Sequence, residues 1–174
     1  MRFSVLSLVM LSVHCASSTP PPEDADCTFD YVPVEADFTC SQDWTQVGNM
    51  RITNRCGLKD EAVRVATDSR PGERYPVGTL ITLMTGEAMA KRGARWDQGN
   101  QSWEYFKLSV SPRGASIDAR GAAEVKNDVG SCLDCHAGAR DFDFVCRTDH
   151  GCEDLPVSGA QLAITQTLDP RCGP

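Results

Sequence analysis

The sequence lacks two features that would assign it to common classes of protein. Its longest apolar segment, Phe3–Val13, has eleven residues, whereas a helix that spans a bilayer needs about 20. It also lacks an excess of basic residues, because its 17 lysines and arginines are outnumbered by 24 aspartates and glutamates, for a net charge of -7. This charge argues against a nucleic-acid-binding surface.

The short apolar segment is typical of an export signal. Arg2 precedes it and small residues follow it from Ala16 onward, so we predict an export signal over residues 1–16. Cys15, at the end of the apolar segment and followed by a proline-rich stretch, also resembles the start of a bacterial lipoprotein. The sequence therefore predicts export, either as a soluble periplasmic protein or as a lipoprotein anchored to a membrane through Cys15. Both destinations are oxidising.

The rest of the chain divides into a tether and one domain. Residues 17–26 are rich in proline and acidic residues and predict a disordered tether. Residues 27–174 have the length of a single domain and contain no internal repeat. Short segments separated by turn residues favour an α+β, sheet-dominated fold, an antiparallel β-sheet with a few short helices. Predicted strands cover residues 63–67, 79–84 and 103–110; predicted helices cover residues 43–47 and 131–139; residues 157–168 are compatible with either.

The last third of the chain contains the run Cys132-Leu133-Asp134-Cys135-His136. In an exported protein, a C-x-x-C-H run is typical of the attachment site of a c-type haem. Thiols three residues apart lie on one side of a helical turn, where they can add to two vinyl groups of one porphyrin, and the next histidine can bind the iron as proximal ligand. The alternatives are a thioredoxin-like redox pair, which lacks its β-α-β context here, and half of a zinc site, which lacks a second Cys/His pair. One covalently bound haem c is the favoured prediction.

The remaining cysteines predict disulfides. Of nine cysteines, one belongs to the export segment and two to the C-x-x-C-H run. The other six are Cys27, Cys40, Cys56, Cys146, Cys152 and Cys172. An even number in an exported domain predicts up to three disulfides, with fifteen possible connectivities. Spacing alone suggests the pairs Cys146–Cys152, Cys40–Cys56 and Cys27–Cys172.

No methionine follows His136, although small helical cytochromes c have a methionine ligand downstream of the attachment run. The candidates for a sixth iron ligand are Met50, Met84, Met89 and His150. For Met84 we favour a role in the core, and for His150 a position in an exposed loop. The sequence therefore predicts a five-coordinate iron with an open distal face, which suits binding of a small gas or oxidation of a small substrate; a six-coordinate iron would suit electron transfer.

Other residues are candidates for the surroundings of the haem. Aromatic side chains that could line a pocket are Trp96, Trp103, Tyr105 and Phe106. Arginines that could pair with the propionates are Arg92, Arg95 and Arg140, and acids that could assist a reaction are Glu87 and Glu104. Ordinary core or surface roles compete with each of these interpretations. A redox partner of this acidic protein is expected to present a basic surface.

Five segments occur in an order and spacing that are fairly specific together. They are Asp43-Trp44-Thr45-x-Val47, Tyr75-Pro76-x-Gly78-Thr79-Leu80-Ile81, Trp103-Glu104-Tyr105-Phe106, the run from Cys132 to Ala137, and Asp143-Phe144-Val145. In this combination the chain resembles the cytochrome P-460 family. The resemblance implies an exported, sheet-rich monohaem c-type cytochrome, often a homodimer, with a histidine as proximal ligand and an open distal pocket. Family members include enzymes that oxidise hydroxylamine and the related cytochromes c′-β, which bind nitric oxide.

The chain departs from the family at one position. The enzymatic members carry a lysine that cross-links to the porphyrin, on the strand after the Gly-Thr turn. Here Leu83 or Met84 occupies that place, and neither can form the bond. Lys91 and Lys107 are the nearest lysines, and we interpret both as solvated. We therefore predict redox or nitric oxide chemistry, or electron transfer, with hydroxylamine oxidation as the first alternative and a haem-free, disulfide-rich exported module as the second.

Overall fold

A six-stranded antiparallel sheet forms the centre of the computed structural model, which describes residues 27–127 and 130–173. The strands follow one another across the sheet in chain order, so each pair is joined by a local connection. They are β1 (Thr45–Val47), β2 (Met50–Asn54), β3 (Thr79–Thr82), β4 (Glu87–Lys91), β5 (Trp103–Ser111) and β6 (Gly114–Gly121). The predicted sheet-dominated fold is confirmed.

The other elements are short. A small hairpin consists of β7 (Lys126–Asn127) and β8 (Gly130–Ser131), and the α-helices are α1 (Lys59–Asp68), α2 (Cys132–His136) and α3 (Gly159–Thr167). Single turns of 3₁₀ helix cover Glu35–Asp37, Ser41–Asp43, Ala94–Trp96 and Pro170–Cys172, and a longer 3₁₀ segment covers Ala137–Phe142. In the described part of the chain, no helix combines the length and the apolar character needed to cross a bilayer. The predicted export signal, the tether and Cys15 lie outside the described residues.

The sheet is buried on both faces because side chains alternate along its strands. One face, here called the helical face, packs against α1 and against the segment after α2; its core includes Ile52, Ile81, Met89, Tyr105, Val65, Phe144 and Val145. The opposite face is covered by the N-terminal segment; its core includes Leu80, Ala88, Ala90, Phe106, Tyr31, Phe38 and Trp44. All four residues of β3 are buried, which explains its continuous Thr-Leu-Ile-Thr sequence.

Strand register aligns a row of large apolar side chains across the helical face. Ile52 is paired with Ile81, Ile81 with Met89, and Met89 with Tyr105. These four residues therefore form a continuous apolar surface across β2 to β5. The ring of Tyr105 lies against that of His136, with 5.1 Å between ring centroids, so the row leads directly to the end of α2.

Three secondary-structure predictions are corrected or decided by the structure. The predicted strand over residues 63–67 lies within α1, because Ala62, Val65 and Ala66 have helical spacing and pack together on the helical face. The predicted helix over residues 43–47 is instead a 3₁₀ turn followed by β1. Residues 157–168 form α3, which begins with a capping box of Ser158 and Gln161.

The structure has three disulfides, and only one has the predicted partners. Cys146–Cys152 is confirmed. The predictions Cys40–Cys56 and Cys27–Cys172 are wrong, because the observed pairs are Cys27–Cys56 and Cys40–Cys172. The reason is the path of the N-terminal segment: Cys27 and Cys56 pack together at the core of the N-terminal side of the sheet, whereas Cys40 begins a 3₁₀ turn that contacts the C-terminal segment.

Candidate functional site

The β7–β8 hairpin leads directly into the C-x-x-C-H run. The amide of Cys132 donates to the carbonyl of Val125 (3.1 Å), and the Ser131 hydroxyl caps α2 by accepting from the amide of Asp134 (3.3 Å). The helical turn places the thiols of Cys132 and Cys135 near each other on one side. Both are free, partly buried, and line the same cleft. The predicted helix over residues 131–139 is confirmed for α2 and continues as 3₁₀ helix.

His136 is held by one of its two ring nitrogens. Its Nδ1 donates to the backbone carbonyl of Phe144 (2.7 Å), which fixes the tautomer and leaves the lone pair on Nε2. Burial lowers the pKa of His136, and the hydrogen bond to Phe144 offsets only part of that effect. The imidazole is therefore neutral at pH 7, which is the form that binds a metal ion.

A cleft of about 760 Å³ separates α2 from the sheet. This volume lies within the range of about 300–1,000 Å³ that is usual for sites of small molecules and cofactors. Its sheet wall includes Met50, Ile81, Leu83, Met84, Met89 and Tyr105. The opposite wall includes the two thiols, His136 and a loop over residues 153–156, which no sequence pattern places here.

The three methionine candidates all line this cleft. Met50 and Met89 are also buried in the core of the helical face. Met84 is partly exposed in the turn after β3, so its predicted place in the core is corrected. The structure thus brings every methionine candidate to the same cavity as His136.

His150 has a different environment from the one predicted. It is buried rather than exposed, and its ring stacks on Phe142 with centroids 3.8 Å apart. Its Nδ1 bonds to the carbonyl of Val145 (2.5 Å) and its Nε2 to the hydroxyl of Ser69 (2.6 Å). The Cys146–Cys152 disulfide closes the loop that folds it inward. Because both nitrogens are occupied and it does not line the cleft, His150 is not available as a ligand there.

The arginine candidates lie away from the cleft. Arg92 is buried on the N-terminal side of the sheet and pairs with Asp30 (2.6 Å) and Glu104 (2.5 Å). Glu104 also pairs with Arg120 (2.6 Å), so it belongs to a structural ion-pair network rather than to the cleft. The exposed guanidinium groups of the other two candidates lie over aromatic rings, Arg95 over Phe29 and Arg140 over Phe144.

Only some of the remaining candidates lie at the cleft. Tyr105, Phe106 and Glu87, for which ordinary core or surface roles were competing interpretations, line the cleft, whereas Trp96 and Trp103 do not. No lysine or arginine of the described residues lines the cleft, whose charged residues are Glu87, Asp134, Glu153 and Asp154. The cleft therefore has an acidic rim.

The prediction that Lys91 is solvated is wrong. It is buried, and its ammonium contacts the carboxylate of Asp143, which is fully buried. The prediction fails because the partner is 52 positions away in the sequence. Lys107 is exposed, as expected, and Leu83 lines the cleft.

The environment of the two thiols distinguishes among the chemistries that the motif allows. Burial raises the pKa of Cys132 to about 11, with smaller contributions from Glu87 and Cys135. Burial also raises the pKa of Cys135. Redox-active C-x-x-C pairs show the opposite shift, because their chemistry needs a thiolate near pH 7. In the described part of the chain, no three His, Cys, Asp or Glu side chains converge as metal ligands, which disfavours the zinc interpretation.

Comparison of the chain with protein-family models, with curated proteins and with solved structures found no match. The resemblance to the cytochrome P-460 family stays a prediction from the sequence.

Proposed function

We propose that this protein is an exported monohaem c-type cytochrome that performs redox or small-ligand chemistry, in the manner of the cytochrome P-460 and c′-β group. Cys132 and Cys135 would hold the haem by thioether bonds and His136 would bind its iron. The observation that carries the proposal is the hydrogen bond from Nδ1 of His136 to the carbonyl of Phe144. It leaves Nε2 free as a ligand in a cleft that both thiols also line.

The residues present fit the haem by their chemistry. Six of the eight cysteines in the described part of the chain are in disulfides, and the two that are not are Cys132 and Cys135. Two thiols that stay unpaired in a disulfide-bonded protein are expected where they are modified by another group. The apolar sheet wall suits a flat, apolar porphyrin.

When bound, the haem would supply a redox-active iron and a coordination position for a small ligand. The lining favours a neutral ligand, because Leu83, Met84 and Met89 are apolar and the acidic rim repels anions. Nitric oxide meets this description. Oxidation of hydroxylamine is the alternative, and it is less favoured because Leu83 cannot form the cross-link and the ammonium of Lys91 is bonded to Asp143.

The absorption spectrum of the purified ferrous protein tests this proposal. We expect a high-spin, five-coordinate haem that binds nitric oxide. A six-coordinate, low-spin spectrum that becomes high-spin in Met50→Leu, Met84→Leu or Met89→Leu would instead support an electron carrier with a thioether ligand. A lysine–porphyrin cross-link would support the hydroxylamine oxidase. Absence of covalent haem after expression with the cytochrome c maturation machinery would contradict the proposal.

A further inference from the structure

We propose that Lys91 and Asp143 form a buried positioning pair that sets the orientation of His136 through the backbone of Phe144. The pair touches neither the thiols nor the histidine, so it acts on the ligand only through this connection. Its consequence for the haem rests on the proposed function, whereas its effect on His136 does not.

The pair is fully bonded on both sides. The ammonium of Lys91 donates to Oδ1 (2.7 Å) and Oδ2 (2.8 Å) of Asp143 and to the carbonyl of Gln101 (2.6 Å), which uses all three of its hydrogens. Asp143 Oδ2 also accepts from the amide of Tyr75 (2.8 Å), and Arg74 approaches Oδ1 (3.3 Å). Asp143 is thus tied to β4 and to the segment before β3.

The backbone beside the pair has an unusual conformation. Asp143 and Phe144 have φ angles of +55° and +60°, a left-handed conformation that two consecutive residues other than glycine rarely adopt. In this conformation the amide of Phe144 donates to the carbonyl of Ala139 (2.9 Å), and its own carbonyl accepts from His136 Nδ1 (2.7 Å). The contacts of Asp143 therefore hold the conformation that directs the carbonyl of Phe144 at His136.

A buried ion pair is a weak source of net stability, because desolvation of the two charges offsets their attraction. It does fix geometry, and removing one partner leaves the other charge buried and uncompensated. A hydrogen bond to the far nitrogen of a metal-binding histidine orients the ring and raises its basicity. Weakening the pair should accordingly loosen His136 and reduce its donation to a bound metal.

The first test uses the haem-free full-length protein and does not depend on haem attachment. Two-dimensional ¹H–¹⁵N NMR of the histidine rings reports the tautomer of His136. We expect a single Nδ1–H tautomer in the unmodified protein and a mixture of tautomers in Asp143→Asn and Lys91→Met. An unchanged tautomer in folded Asp143→Asn would overturn the proposal.

The second test uses the haem-loaded protein. It distinguishes a positioning role of the Lys91–Asp143 pair from a purely electrostatic effect of its charges on the iron. A positioning role predicts that Lys91→Met and Asp143→Asn both lower the frequency of the iron–histidine stretch and both raise the midpoint potential. A purely electrostatic role predicts potential shifts of opposite sign, because one variant removes a positive charge and the other a negative one. Opposite shifts would overturn the proposal.

Arg92→Met is the matched control. It removes one cation from a comparably buried ion pair, on the next residue of the chain and on the opposite side of the sheet. It should leave both the His136 tautomer and the iron–histidine stretch unchanged. If Lys91→Met and Asp143→Asn both fail to fold while Arg92→Met folds, the pair is structural and the proposal is wrong. If the unmodified protein lacks covalent haem but the NMR result holds, only the proposed function fails.

Discussion

At the scale of single residues, His136 and His150 differ in how many ring nitrogens the protein uses. His136 bonds to the protein through Nδ1 alone, whereas His150 uses both nitrogens and is stacked on Phe142. The sequence identified His136 from its motif but gave His150 the wrong environment. The reason is that the environment of His150 depends in part on Ser69, which is 81 positions away in the sequence and which no local pattern reveals.

Because His150 is bonded through both nitrogens, replacing it should affect the stability of the protein but not the coordination of a haem. His150→Phe leaves the hydroxyl of Ser69 and the carbonyl of Val145 without this partner, so we expect it to lower the free energy of unfolding by roughly 1–3 kcal/mol. The ferrous absorption spectrum should not change. Urea unfolding and spectroscopy of the same sample measure both effects; a change of spin state in the folded variant would make His150 a ligand.

At the scale of elements, two of the buried strands were predictable and the contacts of the site were not. Strands β3 and β5 were predicted because apolar and aromatic residues dominate both. The Val-Arg-Val alternation in α1 imitates a strand, and only packing of Ala62 and Ala66 against the sheet shows the helical period. The carbonyl of Phe144 left no signal, because it is a backbone atom placed by a side-chain pair distant in the sequence.

The disulfides Cys40–Cys172 and Cys146–Cys152 close loops of different length, so they should contribute differently to stability. Cys40–Cys172 joins residues 132 positions apart and restricts the unfolded chain far more than Cys146–Cys152, which joins residues six apart. Replacing both cysteines by serine should lower the free energy of unfolding by about 5 kcal/mol in the first case and about 2 kcal/mol in the second. Chemical denaturation of the two double variants measures the difference; equal losses would show that loop length does not govern it.

Asp169 makes the attachment of the C-terminal segment dependent on pH. Burial acts to raise its pKa, but hydrogen bonds from Arg171 and Ser41 outweigh burial and hold the pKa at about 2, below the ordinary value of 3.8. The unfolded chain therefore binds this proton more readily than the folded one. The stabilisation is complete above about pH 5 and is lost as the pH falls toward 2.

We accordingly expect Asp169→Asn to lower the free energy of unfolding by about 2 kcal/mol at pH 7 and to flatten its fall between pH 5 and pH 2. Denaturant unfolding across this range measures both effects. Asp118→Asn is a suitable control because Asp118 is exposed on β6. A pH dependence as steep in Asp169→Asn as in the unmodified protein would contradict this assignment.

At the scale of the whole molecule, the sheet and the C-x-x-C-H segment form the two walls of one cleft. The sheet supplies an apolar surface, and α2 supplies two free thiols and a neutral imidazole. The three disulfides use neither thiol, and of their cysteines only Cys146 lines this cleft. Each of these features is expected if the fold serves to hold a covalently attached haem.

Mass spectrometry of the tryptic peptide spanning residues 127–140 tests this central claim most directly. The protein is expressed with the cytochrome c maturation machinery, and Cys132→Ala/Cys135→Ala serves as the control. We predict that the peptide carries one haem bound through both thiols and that the control lacks it. A peptide that contains two free thiols, or a Cys132–Cys135 disulfide, in a protein without haem would contradict the account.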